Sequence, residues 1–400
     1  MKSANRVEAL TGVRALAGLY LLSFHFAQPL FARAPGWAQT LRQSGYVATS
    51  FFLMLSGFVL TIAYGRKLAD GRLDARGFVV ARLARLYPIY LLSLVMMLPF
   101  AVVHRWGVAT GSFGDASLRY KLATGVANAT MSHVLVPRLS GSWNVPGWCV
   151  SVEMWLYFAF PLVTVSLLER RTRAILGVLA GSWGAALALS IAYTVVQPDG
   201  FRPDHQSSAF WLTLFKFTPY TRWPELLFGI ALGALWLRLP AERRGERFAT
   251  PLIAGGALAA LAILACSPHI PYTMLHNGTL LPLYALVVWG VMLGRGPLHR
   301  ALSLRPLTAI GDSSYVLYLL QLPLMEWLVL VGRRDYRHLD APFAAAAIAV
   351  IVGSAIAVHF LVERRAQAWL RPRLERWAAR VTSPAPKRAA VAPIVTSATS

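Results

Sequence analysis

Long apolar blocks with almost no charge recur along the whole chain, and they limit what it can fold into. Stretches such as "ALAGLYLLSFHF", "FFLMLSGFVLTIAY" and "AAAAIAVIVGSAIAV" belong to blocks of about 17–25 residues, the length a helix needs to cross a hydrocarbon layer about 30 Å thick. Composition agrees: 56% of the 400 residues are hydrophobic and 14% charged, where a soluble chain carries about a quarter charged. The fold class read from these features is all-α, a polytopic transmembrane helix bundle.

Ten candidate spans emerge, near 11–31, 44–64, 84–104, 146–168, 174–197, 223–238, 251–267, 279–294, 313–331 and 341–362. The blocks 223–238 and 279–294 are short and need thin membrane or interfacial flanks. Segment 118–136 is too polar to count as a span and is read as re-entrant or as an external helix lying on the bundle. Ten spans put both termini on one side. The loops assigned to that side hold more than twice as many Lys and Arg residues as the others, which makes both termini cytoplasmic and the protein a multi-pass cell (inner, cytoplasmic) membrane protein.

The net charge of +22 is thereby explained by loops that stay inside, so the lipid bilayer is the expected partner and nucleic acid is not. Cys149 and Cys266 form neither a disulfide framework nor a metal signature. The N-terminal apolar run is longer than a cleavable leader and contains polar residues, so it is read as an uncleaved first helix. No internal repeat and no appended soluble domain are read. After Glu363 the chain turns basic and amphipathic, "ERRAQAWLRPRLERWAARV", then rich in Pro, Ala, Ser and Thr. The basic part is expected on the anionic inner leaflet and the end is expected to be disordered.

Polar groups inside the spans carry the chemistry, because each ionised group at the centre of a span costs about 2.5–3.5 kcal/mol on insertion scales. Arg14 and His25 are 11 residues apart, so they share one helix face about 16 Å apart along the axis. A snorkelling Arg and a His satisfied between helices would be the structural account of them. "VVARLARLYPIY" puts Arg82 and Arg85 at i and i+3, one face of the third span where it leaves the cytoplasm. They are either a topology-fixing cluster or, with Arg14, a phosphate clamp suited to coenzyme A. Glu153, in "VSVEMWLYF", is expected at the depth of His25, as a carboxylate beside an imidazole or as a structural ion pair. Trp148 and Trp155 read as packing and interface anchors.

The stretches "LTGVRALAGLYLLSFHF", "GYVATSFFLMLSGFVL", "RLARLYPIY", "NVPGWCVSVEMWLYFAFP", "PELLFGIALG", "IGDSSYVLYLLQLP" and "HFLVERRA" follow one another in the order and spacing of the acyltransferase 3 family of integral membrane O-acyltransferases. The resemblance covers about residues 8–366. It implies a bundle of about ten helices that takes acyl-CoA from the cytoplasm and delivers the acyl group to a sugar hydroxyl or another hydroxyl. It further implies that residues 1–366 form a transmembrane acyltransferase domain, followed by a tail over 367–400. The family's Arg-x10-His falls on Arg14 and His25, its Arg-x-x-Arg on Arg82 and Arg85, and its Ser-x-Glu on Ser151 and Glu153. Three positions depart from the pattern. Ser50 stands where the family commonly has Asp, Met154 follows Glu153 where a second Glu is frequent, and Gln321 stands where a His is frequent.

The expectation is therefore acyl transfer, acetyl by family habit. Arg14, Arg82 and Arg85 would hold acyl-CoA, and His25 would act as general base assisted by Glu153, either directly or through an acyl-histidine. Ser56, Asn144, Ser151, Tyr157 and Gln321 would give polar support, and no metal is called for. The acceptor is expected to be a glycan or a glycosylated small molecule, in the manner of polysaccharide modification at a bacterial inner membrane. A proton-coupled carrier or transporter built on the same Arg, His and Glu groups is the competing class. A non-catalytic glycan-assembly partner is a third.

Overall fold

The computed structural model describes residues 2–103, 117–204, 207–240, 245–294, 296–335 and 338–382. Every regular element among them is helical. Helix α1 (Lys2–Phe26) precedes the short α2 (Gly36–Gln43), then α3 (Ala48–Ala69) and α4 (Ala75–Val103). Next come α5 (Leu118–Ala129), α6 (Gly147–Glu169), α7 (Thr172–Val196), α8 (Phe210–Phe217) and α9 (Pro219–Arg238). The second half runs through α10 (Ala249–Ala265), α11 (Tyr272–His276), α12 (Leu281–Leu293), α13 (Pro297–Leu302) and α14 (Arg305–Asp312). It ends with α15 (Ser314–Val331), α16 (Ala341–Val358), a π-helical turn over His359–Glu363, and α17 (Arg364–Thr382).

Nine described stretches are long and apolar enough to cross a membrane, where the sequence suggested ten. The expected span 223–238 is not among the nine. It folds as α9, whose Arg222, Glu225 and Arg238 are too costly to face lipid. Instead α9 packs chiefly against α3 and α7, and most of its side chains are buried, so its charges meet protein rather than lipid. The short block 279–294 gains its length from α11, giving a continuous stretch Tyr272–Leu293. Segment 118–136 is not among the nine. Its helix α5 packs on α4, with Tyr90 Oη donating to the Asn128 carbonyl at 2.9 Å. Leu118, Leu122 and Val126 form an exposed apolar stripe at helical spacing on its other side, as for a helix laid on the bundle. The basic tail begins as α17, and the remainder expected to be disordered, 383–400, lies outside the described residues.

Lipid tails are as apolar as the helices themselves, so bundle packing depends on close backbone approach at small residues. Gly57 of α3 faces Gly229 of α9. A Cβ at Gly229 would run into the Met54 carbonyl oxygen, and one at Gly57 into that of Leu226. Helix α1 is seated the same way, with Gly12 against the Leu302 carbonyl and Gly311 of α14 against that of Thr11. These contacts set the positions of α1, α3 and α9, which carry much of the site.

Gly229→Ala should therefore force α3 and α9 apart and destabilise the bundle by about 1–3 kcal/mol, the usual range for overpacking. Gly255→Ala, where an added Cβ meets nothing within 4 Å, serves as the matched control. Thermal unfolding of the detergent-solubilised proteins checks this, and equal midpoints for the two variants would refute the close-approach account.

Candidate functional site

Five helices, α1, α3, α4, α6 and α15, converge on a cavity of about 160 Å³. Arg14 reaches it from α1, with Nη2 donating to Ser314 Oγ at 2.8 Å. Arg82 and Arg85 reach it from the first half of α4, one turn apart on one face. Arg82 is buried. Its Nη2 donates to Tyr64 Oη at 2.7 Å, its guanidinium lies 5.0 Å from the Tyr64 ring centre, and its Nε has no partner. Glu153 enters from α6 and accepts a hydrogen bond from the Ser56 hydroxyl of α3, and Tyr157, one turn further along its own helix, lines the same cavity. Three guanidinium groups against one carboxylate, in surroundings of low dielectric, give this cavity chemistry that favours an anion.

A second, larger cavity of about 460 Å³ lies at the C-terminal end of α1. His25, in the last turn of that helix, is exposed to it and makes no hydrogen bond among the described residues. Arg42, Lys216, His276, Trp148 and Gln321 share its wall. Burial pushes the Lys216 ammonium down to about 8, against the opposing pull of the Asp204 carboxylate. The two cavities adjoin. Tyr318 lines both, and the consecutive residues Trp148 and Cys149 line one each. Cys149 and Tyr318 both stand at this partition.

The structure thus brings Arg14, Arg82, Arg85, Glu153, Ser56 and Tyr157 to one cavity and places His25 and Gln321 in the other. The expected pairing of Glu153 with His25 is not made. Glu153 lies six residues inside the start of α6, about 9 Å down its axis, whereas His25 is one residue from the end of α1. Glu153 and Arg14 line the same cavity. Two supporting candidates line neither cavity. Asn144 donates through Nδ2 to the Leu319 carbonyl at 2.9 Å, and the Ser151 hydroxyl sits 3.0 Å from the Gly147 carbonyl and 3.3 Å from Tyr90 Oη. Both tie helices together.

Beneath the second cavity lies a buried charge network that the sequence reading passed over. Arg222 is fully buried and pairs through Nε with Glu225 Oε2 at 2.9 Å. Its Nη1 donates to the His276 carbonyl at 3.0 Å and to Asn277 Oδ1. Ser50 donates to the other Glu225 oxygen, and Asn277 Nδ2 donates to the Phe215 carbonyl at 3.0 Å. The available signal was "TRWPELLFG", two opposite charges at i and i+3 inside an otherwise apolar helix. Lys216 had a similar one, as a lone lysine within the aromatic octamer "FWLTLFKF".

Residues 7–360 match the acyltransferase domain family. The chain belongs to that family. It is similar to the Bacillus subtilis protein named "Putative peptidoglycan O-acetyltransferase YrhL", 26% identical over 341 residues, which are 80% of this chain and 48% of that protein. It also resembles "Acyltransferase MdmB" of Streptomyces mycarofaciens, 29% identical over 160 residues, 39% of each chain. "Protein 2 in picA locus" of Rhizobium radiobacter is 41% identical over 93 residues, 23% of this chain and 44% of that protein. The matched regions span less than half the length of each of these relatives. No solved structure matches the chain.

Two of the departures from the family pattern have defined roles in this acyltransferase. Ser50 is a hydroxyl donor to Glu225 rather than a carboxylate of its own, so the charge facing Arg222 comes from α9. Gln321 donates through Nε2 to the Tyr318 carbonyl at 3.0 Å and keeps its buried Oε1 without a partner. It thereby braces the residue that separates the cavities.

Removing one member of the Arg222–Glu225 pair leaves an uncompensated buried charge, so Glu225→Gln should cost about 3–5 kcal/mol of stability. Replacing both by methionine should restore most of it. Thermal midpoints of the two variants in detergent check this, and a double variant no more stable than the single one would refute it.

Proposed function

We propose that this chain is an acyl-CoA-dependent O-acyltransferase of the inner (cytoplasmic) membrane with both termini in the cytoplasm. It would move an acyl group, acetyl in the first instance, to a hydroxyl of a glycan or another sugar-bearing acceptor. The observation that carries this reading is the pair of adjoining cavities, one with three arginines and the other with His25, meeting at Tyr318. Membership of the acyltransferase domain family and the glycan named for the Bacillus relative support it.

In this reading Arg14, Arg82 and Arg85 hold the diphosphate and 3′-phosphate of CoA through charge-assisted hydrogen bonds. The pantetheine arm carries the thioester toward the partition, over the roughly 16 Å that separates Arg14 from His25 along α1. The acceptor hydroxyl enters the second cavity and gives its proton to a ring nitrogen of His25 as its oxygen attacks the thioester carbonyl. The new ester C–O bond forms, the C–S bond breaks, and the imidazolium returns the proton to the departing thiolate. Glu153 acts on this step electrostatically from the arginine side, where Ser56 fixes its carboxylate. The hydroxyl on Tyr318, at the junction, lies on the path of the thioester.

Release of free CoA thiol from acetyl-CoA by the purified protein in nanodiscs, with crude cell-envelope glycan as acceptor, tests the reading. His25→Ala should lower kcat by about 10²–10⁴-fold, the usual contribution of a general base. Arg85→Gln should raise the KM for acetyl-CoA about tenfold, as for loss of one charge-assisted contact. Turnover undiminished in His25→Ala would remove the proposed base, and no CoA binding by the wild-type protein would remove the activity.

A further inference from the structure

Among the described residues the wall of the His25 cavity carries two cations and no carboxylate, and Asp204 lines the neighbouring cavity. Arg42 and Lys216 both line it and are only 8% and 5% exposed. Neither makes an ion pair among the described residues. Arg42 donates through Nη1 to the Phe24 carbonyl at 3.0 Å, and its buried Nε has no partner. Lys216 has one long hydrogen bond, 3.4 Å to the Ser207 carbonyl, and lies over the Phe217 and Tyr272 rings at 5.0 and 5.2 Å. A buried cation without an ion pair is costly, and two of them facing one cavity, with the Asp204 carboxylate acting on Lys216 alone, favour an anion in it. The same cavity offers aromatic faces for a sugar ring: Trp148, Tyr46 and Tyr272 line it. Gln43, Tyr46 and Tyr272 also line a neighbouring cavity of about 490 Å³, so the space extends beyond one sugar unit.

We propose that the His25 cavity is an anion-selective saccharide site, in which Arg42 and Lys216 hold a carboxylate or phosphate carried by the sugar. Calling this sugar the acceptor rests on the acyltransferase reading; the site itself does not. The natural substrates would be acidic glycans, with uronate or phosphate groups near the hydroxyl that is acylated. Two cations, set apart from His25 on α2 and α8, would orient such a chain so that one hydroxyl faces the imidazole.

Ligand-observed saturation-transfer NMR on the wild-type protein in nanodiscs tests the site without any turnover. Three probes of one backbone serve: a tetrasaccharide containing glucuronate, its carboxyl-reduced neutral counterpart, and the neutral form bearing one phosphate. An anionic probe should bind about tenfold or more tightly than the neutral one, as expected for charge-assisted contacts. The tighter of the two anions identifies the acidic group. Arg42→Gln with Lys216→Gln should erase the preference, while Arg42→Lys should keep it. Equal binding of all three probes, no measurable binding of either anionic probe, or a preference that survives in the double variant would each overturn the proposal. CoA binding and thiol release by the same wild-type preparation judge the acyltransferase reading separately. Anion preference without either would leave the site standing and remove that reading.

Discussion

A guanidinium group with no water around it must find a counter-charge inside the protein, and the position of α9 follows from how Arg222 does so. Glu225, one turn on, supplies the charge, and Ser50, Asn277 and the His276 carbonyl occupy the remaining lone pairs and N–H groups. A helix bearing such a pair is excluded from lipid. It becomes the buried axis of the bundle, flanked by α3 and α7, with Gly57 and Gly229 letting the α3 and α9 backbones touch. The same network anchors His276 and Thr49, which floor the His25 cavity. A polar network inside the bundle thus fixes both the packing of the helices and the floor of the cavity.

The two cavities divide the proposed chemistry in space. Arginines suited to phosphates lie near the middle of α1 and an imidazole free of hydrogen bonds among the described residues near its C-terminal end, separated by about three helical turns. A pantetheine-linked thioester is suited to bridging such a gap, because its charged end can stay with the arginines while its reactive end travels. Tyr318 lines both cavities and marks the place where the two halves meet. In the proposed chemistry Glu153, held by Ser56 on the arginine side, contributes its field there without touching His25.

Much of this was legible from local pattern. Spans of sufficient length, the basic loops, and the Arg14/His25 and Arg82/Arg85 spacings all depend on helical periodicity, which survives in any arrangement of the helices. What local pattern left out has one cause. Reading 223–238 by apolar content does not ask what faces Arg222 and Glu225. Glu153 was set beside His25 because depth was counted from loop ends, although α1 ends almost at His25 while α6 begins six residues before Glu153. Arg42 and Lys216 appeared to be ordinary loop charges, since nothing in their neighbourhood along the chain indicates that they face one cavity.

By itself the sequence determined that the chain is a helical membrane bundle, which residues carry charge within it, and which of them share a helix face. Those properties follow from hydrocarbon thickness and helical pitch, both of which act on contiguous residues. Only the tertiary structure decided that Glu153 joins the arginines, that His25 stands apart with Arg42 and Lys216, and that α9 is buried at the centre. These depend on how helices distant in sequence approach one another, and that is set by small-residue contacts and by the pairing of charges that cannot be left alone in a medium of low dielectric.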